Sequence, residues 1–198
     1  MLHEMYKLGS KSITFIAIMA ALGNILSLIS TQLAPIAPNI PMGPVTVSLA
    51  LDLSHLTTFI AALFGGPIIG GLTGAVGGLV AAFEFGFSQG NLVTGFGLPL
   101  GKAMTGVAAG YLFQKFHMDS LVKTAMLTAA SYIPEAILTI LLFRYLLPAV
   151  MGLPMGIATL IGFQIIVKAF IEMIILGILL IKITTNNGFR GYMESYFR

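Results

Sequence analysis

Charged side chains interrupt runs of sequence that are otherwise almost wholly apolar: Asp52, Glu84, Lys102, Glu135, and the pair Lys168 and Glu172, with His55 three residues after Asp52. A charge at the centre of a hydrocarbon layer costs roughly 2.5–3.5 kcal/mol on insertion scales, so each calls for a partner or a purpose. Lys168 and Glu172 stand four apart and share a helix face, which leaves two readings. Either they form an intrahelical pair that neutralises both, or Lys168 faces a ligand or Glu135, because Lys before Glu is the poorer order for a pair on one helix. Lys102 and Glu135 have no local opposite charge on their own helices and are candidates for an interior polar cluster. Glu84 is placed to snorkel to the interface. Carboxylates of this kind also relay protons, which keeps a proton-coupled carrier in view.

Other chemistries find little support. Asp52 and His55 put two potential metal ligands on one face, but His3 and His117 are too remote to complete a shell, so no metal is expected and His55 reads as a packed hydrogen-bonding residue beside Ser54 and Thr57. The absence of cysteine removes thiolate nucleophiles, disulfides and Cys-ligated clusters. No Gly-x-Ser-x-Gly elbow occurs. The stretch GFGLPLGKA comes nearest to a phosphate loop, yet Phe96 stands where its first glycine belongs and Ala103 where the Ser or Thr belongs. No catalytic residue is assigned, the chain is not expected to be an enzyme, and it is expected to bind no cofactor and to burn no ATP itself.

The elements that hold these residues follow from hydropathy. Hydrophobic residues make up 57% and charged residues 9% of the 198 positions, and mean hydropathy is +0.98, against roughly 25% charged residues in soluble domains. This is an integral membrane protein. About six apolar runs are long enough to cross a hydrocarbon core of about 30 Å, at 12–32, 47–64, 67–85, 96–115, 121–147 and 155–182. The expected fold is an all-α bundle of six transmembrane helices, a single transmembrane domain over 1–198. Six crossings put both ends on one side, together with Lys7, Lys11, Lys115, Lys123, Lys182, Arg190 and Arg198, and leave Arg144 near the other face. The positive-inside rule then makes both termini cytoplasmic. The net charge of +3 sets topology; no basic run with interleaved aromatics marks nucleic-acid binding. The first apolar run exceeds the h-region of a signal peptide and reads as a retained helix. No internal repeat stands out.

Between the first two runs, TQLAPIAPNIPMGPVT carries Pro35, Pro38, Pro41 and Pro44 and reads as a stiff extended cap over the outer face. Gly86 to Gly95 holds Gln89 and Asn91 and suits either a mobile polar loop or a plain turn. Gly66, Gly70, Gly74 and Gly78 recur every fourth residue in GGPIIGGLTGAVGG. On a helix they form a stripe without side chains, which reads as a packing face inside the bundle or, alternatively, as a track for a sliding partner or nearby ligand. Ala17, Ala20 and Ala21 place small side chains on one face of the first helix.

With these residues in view, the chain resembles the substrate-binding S components of energy-coupling factor (ECF) vitamin transporters over nearly its whole length. The similarity is carried by Ala17 to Ala21, by the passage from LDLSHL to GGPIIGGLTGAVGG, and by GFQIIVKAFIE from Gly162 to Glu172. The Leu-Asp-Leu-Ser followed by Gly-Pro and spaced glycines looks like the flavin, folate and pantothenate branch. The resemblance implies a multi-pass protein of a prokaryotic plasma membrane that captures a vitamin from outside and docks on a transmembrane T component driven by two cytosolic ATPases. It then topples to release its ligand inward. Ala17 and Ala21 match the family's docking motif, with Ala20 between them. By position, the ligand site falls on Asn39, Asn91, Lys102, Glu135, Gln164 and Lys168. Lys102 and Lys168 would suit an anionic group, and Phe83, Phe85, Phe87 and Phe96 could stack on a ring. Riboflavin is placed ahead of folate, pantothenate and pyridoxine. The alternative is a stand-alone proton-coupled or facilitative carrier.

Overall fold

The computed structural model describes residues 8–37, 39–42, 45–48, 51–116 and 118–197, with the side chains of 39–48 outside the description; His3, Lys7, Pro38, Pro44, His117 and Arg198 also lie outside it. Four helical stretches among the described residues are long and apolar enough to cross a membrane: Ser10–Leu33, Ser54–Gln89, Leu121–Met151 and Met155–Thr184. The chain is thus a predominantly helical, membrane-embedded protein.

Helix α1 (Ser10–Leu33) leads into a two-stranded antiparallel hairpin, β1 (Asn39–Met42) and β2 (Val45–Ser48), that pairs Asn39 with Ser48 and Met42 with Val45. The chain is extended over 39–42 and 45–48, whereas Thr31 to Leu33 continue α1 and Ala34 to Ile36, with Pro35, form a turn, so the expected extended cap is only partly realised. The hairpin is an exception to the expected all-α fold, and it corrects the second span: β2 takes the positions from 47, and helix α2 (Ser54–Gly77) begins only at Ser54. The reason is chemical, since β-branched Val45, Thr46 and Val47 favour a strand and Asp52 and Ser54 favour a helix start.

Inside α2 the backbone turns at Gly66, with φ +79° and ψ −171°, immediately before Pro67. A Cβ built on Gly23 would lie 3.7 Å from the Ser54 carbonyl oxygen and 3.6 Å from Gly77 Cα. A straight helix would hold Ser54 and Gly77 more than 30 Å apart at about 1.5 Å per residue. The two legs of α2 therefore run back along each other, and Gly66 serves as the hinge because a left-handed φ suits glycine alone. Pro67 loses nothing there, since the first amides of a new leg have no helical partner.

After α2 come α3 (Leu79–Phe85), a 3-10 turn (Phe87–Gln89) and α4 (Leu92–Lys115). Asn24 of α1 bridges the α2–α3 break, donating to the Val76 carbonyl at 2.9 Å and accepting from the Val80 amide at 3.0 Å. Helix α4 starts four residues earlier than the expected 96, because Asn91 caps it by accepting from Thr94 N–H at 3.0 Å. Of the two readings of Gly86 to Gly95, the turn is the one the structure adopts, as a 3-10 turn followed by the α4 cap. The run 121–147 is likewise one long helical path with interruptions: α5 (Leu121–Ser131), α6 (Ile133–Leu141), a wide π-turn (Leu142–Leu146) and α7 (Leu147–Met151). Pro134 and Pro148 stand just past two of these breaks, where a missing N–H is tolerated. Helix α8 (Met155–Thr184) and the short α9 (Asn187–Phe197) complete the chain.

The glycine stripe lies inside. Gly70 stands against the Gly106 carbonyl and Ala62, Gly74 against the Lys102 backbone, Gly78 against Pro99, and Gly71 against Val107. Helix α4 answers with its own small positions: Gly106 faces the Gly70 backbone and Gly110 faces Pro67. Close backbone approach of this kind is how helices associate where apolar side chains gain little over lipid. The packing-face reading of GGPIIGGLTGAVGG holds from Gly70 onward, whereas Gly66, expected as the first member of the stripe, is the non-helical hinge instead. Gly74→Leu should wedge α2 from α4 and destabilise the protein by about 3 kcal/mol or more, as overpacking against backbone does. Thermal unfolding in detergent measures this, with Gly156→Leu, at a site with nothing within 4 Å, expected to melt as the parent does.

Several contacts gather the start of α1 and helix α9 at one end of the bundle. Tyr196 donates to the Lys11 carbonyl at 3.0 Å, Phe189 of α9 meets the Phe64 ring at 5.9 Å, and the hinge Gly66 sits against Gln114, next to Lys115. Lys11, Lys115 and Arg190 therefore share that end, whereas Arg144 belongs to the π-turn.

Candidate functional site

A cavity of about 530 Å³ opens within the described residues, its lining mostly apolar with a compact set of polar groups. It is bounded by α1, the segment before α2 and the first turn of α2, and by α3, α4, α6, the π-turn and α8. Asp52, Asn91 and Phe143 among its lining residues lie at segments remote from the terminal end, so the cavity belongs to the opposite half of the bundle.

Each polar group is set by the packing just described. The contact of Gly74 with the Lys102 backbone draws α4 against α2, so Lys102 reaches the start of α2. Its Nζ lies 3.2 Å from Asp52 Oδ2 and donates to Ser54 Oγ. Asp52 is fixed in turn: its Oδ1 accepts from the Ser54 amide at 2.9 Å, and its own amide donates to Glu172 Oε1 at 3.0 Å. Burial works against the Asp52 charge, but the Lys102 ammonium and the Ser54 hydrogen bonds outweigh it and hold the carboxyl below the ordinary carboxylate range. Ser30 of α1 steadies the same segment, donating to the Leu51 carbonyl at 2.7 Å.

A second cluster centres on Glu135. The break at Tyr132 puts Glu135 in the first turn of α6, where negative charge is favoured. Its Oε2 accepts from Thr105 Oγ1 at 2.6 Å and lies 3.3 Å from His55 Nε2. Gly101 leaves room for the side chain, since a Cβ there would stand 2.8 Å from Glu135 Cγ. On α8, Lys168 Nζ lies 3.5 Å from Glu172 Oε1. The π-turn directs Phe143 against Gly162 and into the cavity lining; such wide turns occur often at functional sites.

Of the residues singled out in the sequence, Asn91, Lys102, Glu135, Gln164 and Lys168 all line this one cavity. Asn39 opens β1, and its side chain lies outside the described set. The two readings of Lys168 and Glu172 both survive in part, because the pair forms yet Lys168 also lines the cavity. Of the four candidate stacking phenylalanines, only Phe85 lines it. Phe83 and Phe96 are exposed, and Phe87 stacks edge-on against Phe96 at 5.1 Å. Tyr132 and Phe143 also line the cavity. Asp52 and His55 turn to different partners, Lys102 and Glu135. Sequence reasoning marks Asp52, His55 and Glu172 as polar residues in apolar runs without placing them in the site, and it misses Tyr132, Thr105 and Ser30 altogether. The usable signal is that two lysines within the runs demand counter-charges.

On α1, Ala17 and Ala21 are exposed. Ala20 is not: it is fully buried, with its backbone against Gly77, so it belongs to the bundle interior and is removed from the candidate docking face.

A helical membrane bundle with a substantial, mainly apolar cavity and a few fixed polar groups fits a small-molecule-binding membrane protein. The family model described as "ECF transporter, substrate-specific component" matches residues 11–184, and the chain belongs to that family. It is thus a transport protein, the substrate-capturing component of an ECF transporter, which works on a small molecule with a T component and ATPases. A search of curated proteins gave no match.

Proposed function

We propose that the chain captures a water-soluble vitamin or vitamin precursor outside the cell and delivers it through an ECF transporter, as a member of the flavin, folate and pantothenate-like branch, with riboflavin the leading candidate. The observation that carries this is the cavity itself, whose 530 Å³ falls within the roughly 300–1,000 Å³ of sites that enclose ligands of this size. The protein is a single transmembrane domain in a prokaryotic plasma membrane. It makes six crossings, in which the two legs around Gly66 and the helix α4 supplement the most apolar stretches. Its termini and Lys11, Lys115 and Arg190 are cytoplasmic by the positive-inside rule, so the cavity opens outward. Asn91, Lys102, Glu135, Gln164 and Lys168, with Asn39 from the hairpin, form or support the ligand site. Ala17 and Ala21 form the docking face. The chain binds no cofactor, and ATP is hydrolysed by its partners.

The test is thermal titration of the purified chain in detergent against a panel of vitamins. A ligand at 100 times its Kd should stabilise the protein by about 2.7 kcal/mol, and a nanomolar hit in the absence of other subunits is the expected result. No hit, combined with proton-driven uptake by the chain alone in liposomes, would establish the stand-alone carrier instead.

A further inference from the structure

The charges lining the cavity do not balance. Three carboxylates, Asp52, Glu135 and Glu172, face two ammonium groups, Lys102 and Lys168. Lys102 is enclosed between Asp52 and Ser54, with its side chain 3% exposed. Lys168 is paired with Glu172. Glu135 is left with His55 as its only ionisable neighbour within ion-pair distance among the described residues.

His55 cancels that charge only as an imidazolium. Its Nδ1, however, is buried and has no hydrogen-bond partner among the described residues. An imidazolium would carry a proton there with nothing to receive it, which costs more than a bare lone pair. The contacts therefore give Glu135 one donor position, at Nε2, and offer no acceptor for a second ring proton at Nδ1. Both donors, His55 and Thr105, approach the same oxygen, Oε2. Glu135 Oε1 accepts no hydrogen bond among the described residues, although the side chain is only 9% exposed and lines the cavity. Gly101 keeps that edge of the carboxylate open, since a Cβ there would stand 3.1 Å from Oε1.

We infer that the substrate presents a cationic or uncharged N–H or O–H donor to Glu135 Oε1 and carries no carboxylate or phosphate. This rests on the capture reading and narrows it, and it reverses the expectation that Lys102 and Lys168 await an anion. A ligand donor supplies what an uncompensated buried carboxylate lacks. A ligand anion would instead have to compete for ammonium groups already held by Asp52 and Glu172.

The experiment is calorimetric titration of the full chain in detergent with compounds of known charge. Pyridoxamine, pyridoxine and 4-pyridoxate share a ring and differ in the group beside it; thiamin and riboflavin are set against pantothenate and folate. The tightest ligand should be cationic or uncharged and should bind about tenfold or more better than every carboxylate-bearing compound. Glu135→Gln, checked for folding by its unliganded melting curve, should lose about tenfold in affinity for that ligand. Should the Gln variant not fold, the ligand ranking on the unmodified chain still decides. A carboxylate-bearing compound as the tightest ligand, or a folded Glu135→Gln variant of unchanged affinity, overturns the inference while leaving capture intact. A panel without any binder removes the capture reading and this one with it.

Discussion

Lys102→Met should destabilise the protein by about 3 kcal/mol and weaken ligand binding, and adding Asp52→Asn should restore much of both. Removing one partner of a buried ion pair costs about 3–5 kcal/mol, chiefly because the other charge is left without compensation. Lys102 is almost wholly enclosed while the Asp52 side chain is 29% exposed, so water relieves part of the penalty and the lower end of that range applies. The double variant removes the stranded carboxylate. The carboxamide that replaces it keeps an oxygen able to accept from the Ser54 amide, as Asp52 Oδ1 does at 2.9 Å, so the segment that roofs the cavity keeps its local anchor. Melting curves and ligand titrations of the four proteins form a double-mutant cycle, and a coupling of about 1–3 kcal/mol is expected for groups in direct contact. The cycle also separates two roles for Lys102. If the ammonium positions Asp52, affinity recovers together with stability. If it binds a ligand anion directly, stability recovers and affinity does not.

This pairing shows where the sequence stops being informative. Hydropathy alone locates the apolar runs, and the spacing of Gly70 and Gly74 identifies a packing face, because both properties are local and periodic. Lys102 and Asp52 lie 50 positions apart, and nothing in either neighbourhood specifies the other; the pair exists only because the glycines bring α4 onto α2. The same holds for His55 and Glu135. Membrane energetics makes these residues visible as candidates, since an intramembrane charge needs an explanation, but cannot match them. The hinge at Gly66 is written in the Gly-Pro dipeptide and coincides with the gap between two expected spans. The hairpin is harder to see, because four prolines predict extended chain without predicting a partner strand. Phe83 and Phe96 fail as ring-stacking candidates for a related reason: in an amphipathic run near a bilayer, aromatic residues face lipid as readily as a cavity. Ala20 differs from Ala17 and Ala21 by its angle on α1, and only the position of Gly77 decides which of the three is buried.

That difference on α1 carries the remaining large prediction. Ala17→Trp or Ala21→Trp should reduce transport by the assembled ECF complex to background while leaving the ligand affinity of the isolated chain within about twofold. Both alanines are exposed, and α1 is the least buried of the four most apolar stretches, with 22% of its apolar window inside the bundle. A face of small side chains lets another helix approach closely, and an indole there holds the helices apart by several ångströms. Neither alanine is among the residues lining the cavity, so capture has no reason to change. Ala20→Trp supplies the contrast, because Ala20 is fully buried with Gly77 against its backbone; that variant should lose stability, and binding and transport together. Uptake into proteoliposomes containing the T component and ATPases, measured beside ligand titration of each variant alone, distinguishes the cases. Equal loss of binding and transport in Ala17→Trp and Ala21→Trp would assign this face to folding. Unchanged transport would place the docking surface elsewhere on the bundle.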